Sequence, residues 1–230
     1  MIPRHVAVIL DGNRRFAKKL MLEPWKGHEY GQKKVEQLLE WCKDLGIKEL
    51  TLYSFSIQNF NRPKEEFDYL MVIMKKAFEK FYDDKRIEEH KIKVSVIGRY
   101  NMFPKDLVKA IDRIVEKTKN NSGFKINFAL AYGGREEITD AFKKIAKKIQ
   151  NGELDPKDID EKVIQENLYL SSEPDLIIRT GGERRTSNFL MWQSSYSEWF
   201  FMDKTWPEFT QEDLIEIVKE FEQRERRFGK

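Results

Sequence analysis

Residues 5–15 read His-Val-Ala-Val-Ile-Leu-Asp-Gly-Asn-Arg-Arg. The run over 5–10 is short, continuous and rich in β-branched residues, as expected of a strand buried on both faces. Gly12 interrupts it and opens a helical segment. A strand that feeds directly into a helix is the first half of a β-α unit, and the alternation continues outward along the chain. A helix is predicted from about 27 to 45, with Val35, Leu38, Leu39 and Cys42 on one face, and a strand over 50–55. Pro63 sits where a helix begins, and Phe67, Leu70, Met71, Met74, Phe78 and Phe81 recur at helical spacing as far as about His90. One helix of that length would be roughly 40 Å long. Further strands are predicted at 94–97, 126–131, 175–179 and 199–202. Helices are predicted at 104–119, 135–150 and from 211 to about 226, with one or two short ones over 155–168. Strands separated by helix-length segments imply an α/β fold whose parallel sheet is covered on both faces. Ligands of such sheets bind outside the carboxyl ends of the strands.

A chain of 230 residues without Ser/Gly/Pro-rich linkers, low-complexity tracts or repeats is expected to form one domain, residues 1–230. Lys plus Arg total 42 against 39 Asp plus Glu, and the net charge of +3 gives little support for a polyanionic partner such as nucleic acid. The single Cys42 excludes an intrachain disulfide and points to core packing and a reducing compartment. No signal peptide is read at the start, and no apolar stretch approaches the roughly 18 residues of a membrane span. The protein is therefore expected to be cytoplasmic, with peripheral membrane contact left open.

Four polar segments follow predicted strands. In the first, Asp11-Gly12-Asn13-Arg14-Arg15, Gly12 permits close backbone approach to a ligand and the arginines offer charge-assisted donors to phosphate. Asp11 either holds a hard cation such as Mg²⁺ between itself and phosphate, or simply caps the helix. The second, Ser56 to Pro63, carries Ser56, Asn59 and Arg62, and reads equally as a polar cluster at a strand end or an ordinary capped loop. In the third, Arg179 to Asn188, three arginines, two glycines and three hydroxyls fall within ten residues, a composition suited to phosphate. The fourth, Tyr132-Gly133-Gly134-Arg135, is weaker turn chemistry, although Asn127 in the preceding strand is expected to point toward the site. No GxxxxGK[ST] loop, GxGxxG fingerprint or Cys/His zinc cluster is present. His5 and His90 read as structural or surface residues.

The segments VILDGNRRFA, WKGHEYG, LYSFSIQNFNRP, FALAYGGREEI, PDLIIRTGGERRTSNFLMWQSSYSEWFF and WPEF, in this order, resemble the cis-prenyltransferase family. That family includes undecaprenyl and dehydrodolichyl diphosphate synthases, and the resemblance runs from His5 to the C-terminus. Asp83-Asp84 lacks the DDxxD pattern of the all-helical trans-prenyltransferases. The resemblance implies a six-stranded parallel sheet surrounded by helices, a homodimer, and repeated condensation of isopentenyl diphosphate onto an allylic prenyl diphosphate. The product implied is a polyprenyl diphosphate of undecaprenyl type, precursor of a glycosyl carrier lipid. It also implies site residues. Asp11 matches the catalytic, Mg²⁺-binding aspartate. Gly12, Asn13, Arg14, Arg15 and His28 match the allylic diphosphate loop. Ser56, Asn59 and Arg62 match a polar group near the reacting centre, with Arg62 implied on the allylic diphosphate, Ser56 on isopentenyl diphosphate and Asn59 in a catalytic place, though too weak a base to remove the proton unaided. Arg179, Arg185 and Ser187 match the isopentenyl diphosphate site, and Glu198 an acidic residue linked to Mg²⁺.

Arg227 and Gly229 resemble an RxG motif with which the tail of one subunit reaches its partner's isopentenyl diphosphate site. Deleting residues 226–230 is accordingly expected to cut activity while dimerisation and melting temperature persist. An apolar product tunnel is expected between helices 27–45 and 64–90, with Leu38, Met71 and Met74 facing it. Pro24 stands where bacterial relatives carry a phosphate-binding arginine, which Lys18 or Lys26 would have to replace. The DGNRR form looks archaeal or eukaryotic, and favours geranylgeranyl over farnesyl diphosphate as starter. The alternatives are transfer to an acceptor other than isopentenyl diphosphate, a non-catalytic partner subunit, which the presence of Asp11, Arg179 and Arg185 disfavours, and a nucleic-acid binder.

Overall fold

The computed structural model describes residues 1–224. In chain order the elements are β1 (His5–Ile9), α1 (Asn13–Lys19), α2 (Gly27–Asp44), β2 (Glu49–Ser56), α3 (Lys64–Asp83), α4 (Lys85–Glu89), β3 (Lys93–Ile97), α5 (Lys105–Thr118), β4 (Lys125–Tyr132), α6 (Gly134–Gln150), α7 (Glu161–Asn167), β5 (Leu176–Arg179), β6 (Glu198–Phe201) and α8 (Gln211–Gln223). The strands form one sheet in the order β3-β4-β2-β1-β5-β6, and every pair is parallel. All five residues of β1 are buried, which accounts for its unbroken apolar reading. Side chains on one face of the sheet join the core under α2, α3, α5 and α8, and those on the other pack with Leu170, Phe189 and Leu190. Cys42 is fully buried in the first core, and burial pushes its thiol pKa far up, so it packs as a small apolar group.

The connection after β1 leads to β2 on one side, and the connection after β5 leads to β6 on the other. Adjacent strands with diverging connections leave a crevice at their carboxyl ends. Ile9 lies opposite Arg179 in the β1–β5 register, so both loops open onto that crevice.

Two expectations require correction. The helix predicted to run from Pro63 to His90 is broken: α3 is 20 residues long, about 30 Å. Asp84 is extended (φ −72°, ψ 117°) and its carboxylate accepts the Arg86 N–H at 2.9 Å, starting α4 in a new direction. Asn127 does not point toward the site. It lies near the start of β4, fully buried, donating to Thr51 Oγ1 at 2.9 Å and Glu49 Oε1 at 2.8 Å. The Thr51 hydroxyl also bonds His5 Nε2 at 2.8 Å, so His5 is structural.

Candidate active site

Asp11 lies two residues beyond β1, beside the end of β5. Its backbone carbonyl accepts from Thr180 Oγ1 at 2.8 Å and from the Trp206 N–H at 2.9 Å, which pins the loop. Gly12 makes this turn possible. Its φ of +104° is left-handed, and a Cβ there would stand 2.7 Å from Thr205 Cβ. Gly12, not Asp11, is the N-cap of α1, so the capping alternative for Asp11 falls away. The carboxylate instead takes Arg179 Nη2 on Oδ2 at 2.8 Å and Arg15 Nη2 on Oδ1 at 3.0 Å. Arg15 also donates through Nη1 to the Gly181 carbonyl.

Arg179 is almost wholly enclosed, with 4% of its side chain exposed. Its Nη1 donates to Ser187 Oγ at 2.6 Å and to the Arg185 carbonyl, while its Nε is buried with no protein partner. Ser187 and Asn188 hold left-handed backbone (φ +51° and +62°), so this turn depends on outside support. That support comes from the Gly133-Gly134-Arg135 segment. The Gly134 N–H donates to the Asn188 carbonyl at 2.7 Å and the Arg135 N–H to Asn188 Oδ1 at 2.9 Å. Tyr53 adds a bond from its hydroxyl to the Ser187 carbonyl at 3.3 Å. The fourth sequence segment therefore clamps the third.

A basic pocket of about 370 Å³ opens beside Asp11 and is lined by Gly12, Asn13, Arg14, Arg15, Lys18, His28 and Arg62. Lys18 is among the lining residues, whereas Pro24 and Lys26 are not. Glu66, which the sequence analysis missed, is 1% exposed beneath the pocket. It accepts from Arg62 Nη1 at 3.0 Å and faces Arg14 Nη2 at 3.7 Å. The four-residue spacing of Arg62 and Glu66 was the available signal. Arg62 Nη1 also lies 3.3 Å from His28 Nε2.

Burial, followed by the charges of Arg62 and Arg14, pulls the His28 pKa down to about 3. His28 is therefore neutral at physiological pH and accepts from Arg62. A depressed folded-state pKa means that the unfolded chain binds this proton first. Its contribution is complete above about pH 6.5 and is lost as pH falls toward 3. We expect His28→Gln to lose less stability than wild type between these limits, as measured by urea denaturation at a series of pH values.

An apolar cavity of about 630 Å³ runs on from Asp11, Asn59 and Arg179 between α2 and α3. On α2 its wall is the helical stripe His28, Gly31, Gln32, Val35, Glu36 and Leu39, and on α3 it includes Leu70, Ile73, Met74, Ala77 and Phe81. Met74 lines the cavity. Leu38 and Met71 do not, and both are buried in the core instead. Successive helical residues diverge by about 100°, so Leu39 reaches the lumen while Leu38 packs behind it. Ser56 and Asn59 both line the cavity, and Asn59 Oδ1 accepts the Ser56 N–H at 3.0 Å, so the capped-loop and polar-cluster readings hold together.

Other expected site residues are not brought in. The Arg185 side chain is 60% exposed and donates to Glu183, although its carbonyl holds Arg179. Glu198 starts β6 at the opposite end of the sheet from Asp11 and takes Arg224 Nη1 at 2.6 Å. Within one chain, Asp11 and Glu198 therefore do not converge. Arg227 and Gly229 lie outside the described residues. Among the described residues, no cluster of three or more His, Cys, Asp or Glu side chains is arranged as a metal site.

A basic pocket continuous with a long apolar cavity, at the carboxyl edge of a parallel sheet, suits a molecule with a charged head and a hydrocarbon tail. The chain belongs to the undecaprenyl diphosphate synthase family of cis-prenyltransferases: the family profile described as "Putative undecaprenyl diphosphate synthase" matches residues 9–229. A tritrans,polycis-undecaprenyl-diphosphate synthase (geranylgeranyl-diphosphate specific) from Methanocaldococcus jannaschii is 49% identical, covering 100% of this chain and 83% of its own. An isoprenyl transferase from Thermus thermophilus is 45% identical, covering 100% and 89%. Among solved structures, lavandulyl diphosphate synthase from Lavandula x intermedia, in complex with dimethylallyl diphosphate, superposes with a TM-score of 0.92 at 36% identity, covering 100% of this chain and 99% of that one. Among the described residues, no helix is long and apolar enough to cross a membrane.

Proposed function

We propose that the protein condenses isopentenyl diphosphate repeatedly onto geranylgeranyl diphosphate, giving a polyprenyl diphosphate of undecaprenyl length that serves as precursor of a glycosyl carrier lipid. The observation that carries this is the continuity of the basic pocket with the apolar cavity, with Asp11 and Arg179 at the junction. The geranylgeranyl specificity in the names of several archaeal relatives supports the choice of starter.

In this reading Arg14, Arg15, Lys18 and Arg62 hold the allylic diphosphate, with neutral His28 beside it. Arg179 and Ser187 receive isopentenyl diphosphate, and the unpartnered Nε of Arg179 is a donor in waiting. Arg185 joins that site only by swinging its side chain away from Glu183. The arginines stabilise the departing diphosphate electrostatically, and the two pockets hold the substrates in line. Asn59 orients groups near the reacting centre and leaves the proton to a diphosphate oxygen or water.

Mg²⁺ fits the donor set. Asp11 is a single carboxylate at the pocket junction, each oxygen takes one guanidinium bond, and lone pairs remain for a hard cation that completes its shell from phosphate. When bound, Mg²⁺ would neutralise charge on the leaving diphosphate. Glu198 could serve such an ion only from another copy of the chain, and a homodimer belongs to the same proposal. The tail residues Arg227 and Gly229 remain assigned to isopentenyl diphosphate on resemblance alone.

The direct test is to incubate the protein with labelled isopentenyl diphosphate, Mg²⁺ and dimethylallyl, geranyl, farnesyl or geranylgeranyl diphosphate, and then size the products. Geranylgeranyl diphosphate should prime best and yield undecaprenyl-length chains. A single condensation, or transfer to another acceptor, would overturn this reading. A second expectation concerns the tunnel. Met74→Trp should shorten the product, whereas Met71→Trp should leave the lengths unchanged and lower stability by about 1–3 kcal/mol through overpacking, as read from denaturation midpoints.

A further inference from the structure

We propose that Glu136 is a positioning residue for the isopentenyl diphosphate site: through Asn188 it holds the turn that presents Ser187 beside Arg179. The proposal rests on the reading of Arg179 and Ser187 given above. It concerns a residue that lines neither the basic pocket nor the apolar cavity.

Glu136 stands in the first turn of α6, whose N-cap, Gly133, has no side chain to offer the first N–H groups of the helix. Asn188 takes two of them. Its carbonyl accepts the Gly134 N–H at 2.7 Å, and its Oδ1 accepts the Arg135 N–H at 2.9 Å. The other end of its amide, Nδ2, donates to Glu136 Oε2 at 3.0 Å. A Cβ added at Gly133 would run into both Glu136 Oε2 and Asn188 Nδ2, so this bond lies directly against the backbone that starts the helix. That helix is a firm base. The next residue, Glu137, is 1% exposed and accepts the Tyr169 N–H at 2.8 Å and the Leu170 N–H at 3.1 Å.

An asparagine amide presents a donor at one end and an acceptor at the other. The Arg135 N–H can only donate and a carboxylate can only accept, so between them the amide has one orientation. Ser187 and Asn188 hold φ of +51° and +62°, which residues other than glycine keep only where their surroundings enforce it. Both line the cavity, and Ser187 Oγ accepts from Arg179 Nη1 at 2.6 Å. The order imposed by Glu136 therefore passes through Asn188 to Ser187 and Arg179. If Asn188 loses that hold, the turn relaxes, Ser187 Oγ moves off Arg179, and isopentenyl diphosphate is bound less well. The pocket lined by Arg14, Arg15 and Arg62 is not involved.

The test uses the full chain. Isothermal titration gives the Kd of isopentenyl diphosphate, and steady-state kinetics with geranylgeranyl diphosphate and Mg²⁺ gives both KM values and kcat. Glu136→Gln and Glu136→Met remove the same charge, but only Gln keeps an acceptor for Asn188 Nδ2, so their difference isolates the bond. Glu136→Met should raise the Kd and KM of isopentenyl diphosphate about three- to tenfold, the effect of one hydrogen bond. Its kcat and allylic KM should stay within about twofold of wild type, the pattern of lost binding and not of lost chemistry. Glu136→Gln should stay near wild type throughout. Asn188→Asp tolerates the left-handed backbone but sets two carboxylates face to face, and should weaken isopentenyl diphosphate more than Glu136→Met does. Adding Glu136→Gln to it lets the glutamine amide donate to the new carboxylate, and should bring the Kd back toward wild type. Equal effects of Gln and Met, a matching rise in the allylic KM, or an Asn188→Asp defect that Glu136→Gln does not reverse would each overturn the role of Glu136 while leaving the proposed activity standing. A wild-type chain that neither binds nor incorporates isopentenyl diphosphate would overturn the activity and this role with it.

Discussion

Asp11→Asn is expected to lower turnover about 10²–10³-fold, the usual loss when one preorganised electrostatic element of a site is removed. Asparagine keeps the size of the side chain and one oxygen acceptor, but loses the charge that would hold a cation against the leaving diphosphate. Asp11→Ala is a worse test. Arg179 is 4% exposed and would lose its carboxylate partner, and breaking a buried pair by removing one member costs roughly 3–5 kcal/mol. The loss here should fall at or below the low end of that range, because 28% of the Asp11 side chain is exposed. Single-turnover kinetics with saturating Mg²⁺, paired with urea denaturation, separates the two effects. Near-normal turnover of a folded Asp11→Asn variant would remove Asp11 from the chemistry.

Arg179→Lys is the second large effect. Arg179 spreads its donors over Asp11, Ser187 and the Arg185 carbonyl, and keeps Nε free. A lysine retains the charge and part of the pairing with Asp11, but cannot reproduce a planar fork with several fixed donors. We expect the KM for isopentenyl diphosphate to rise roughly ten- to a hundred-fold, the equivalent of one lost charge-assisted bond of about 1.5–3 kcal/mol. The KM for the allylic substrate should change little. If the allylic KM alone rises, the two diphosphate sites are assigned the wrong way round. A retained melting temperature would show that the buried charge, more than its shape, supports the fold.

The alternation of strands and helices was legible because the two periodicities differ and because buried parallel strands read as unbroken apolar runs, as β1 does. The break at Asp84 was not legible. Phe67 to Phe81 keep helical spacing up to it, and the interruption is made by a backbone turn held by the Asp84 carboxylate, which leaves no mark on that spacing. Lys18 could be named only as one of two candidates, and Glu66 was marked only by its four-residue spacing from Arg62, since the places of both depend on how α1 and α3 approach each other around the pocket. Helical spacing placed Met74 and Met71 within one apolar stripe. The position of the cavity decided that Met74 faces it and that Leu38 and Met71 pack behind it.

What the sequence determined by itself was the class of fold and the loops that carry charge. Both are written in short-range pattern: strand, glycine, then arginines at Asp11–Arg15, and a strand running into Arg179 and the glycines after it. Only the tertiary structure decided how those loops meet. Strand order sets β1 beside β5, and that neighbourhood turns Asp11 from a possible helix cap into the partner of Arg179. It also sends Arg185 outward to Glu183 and leaves Glu198 at the other end of the sheet. Distances between segments far apart in sequence depend on packing across the whole sheet, which no local run of residues encodes.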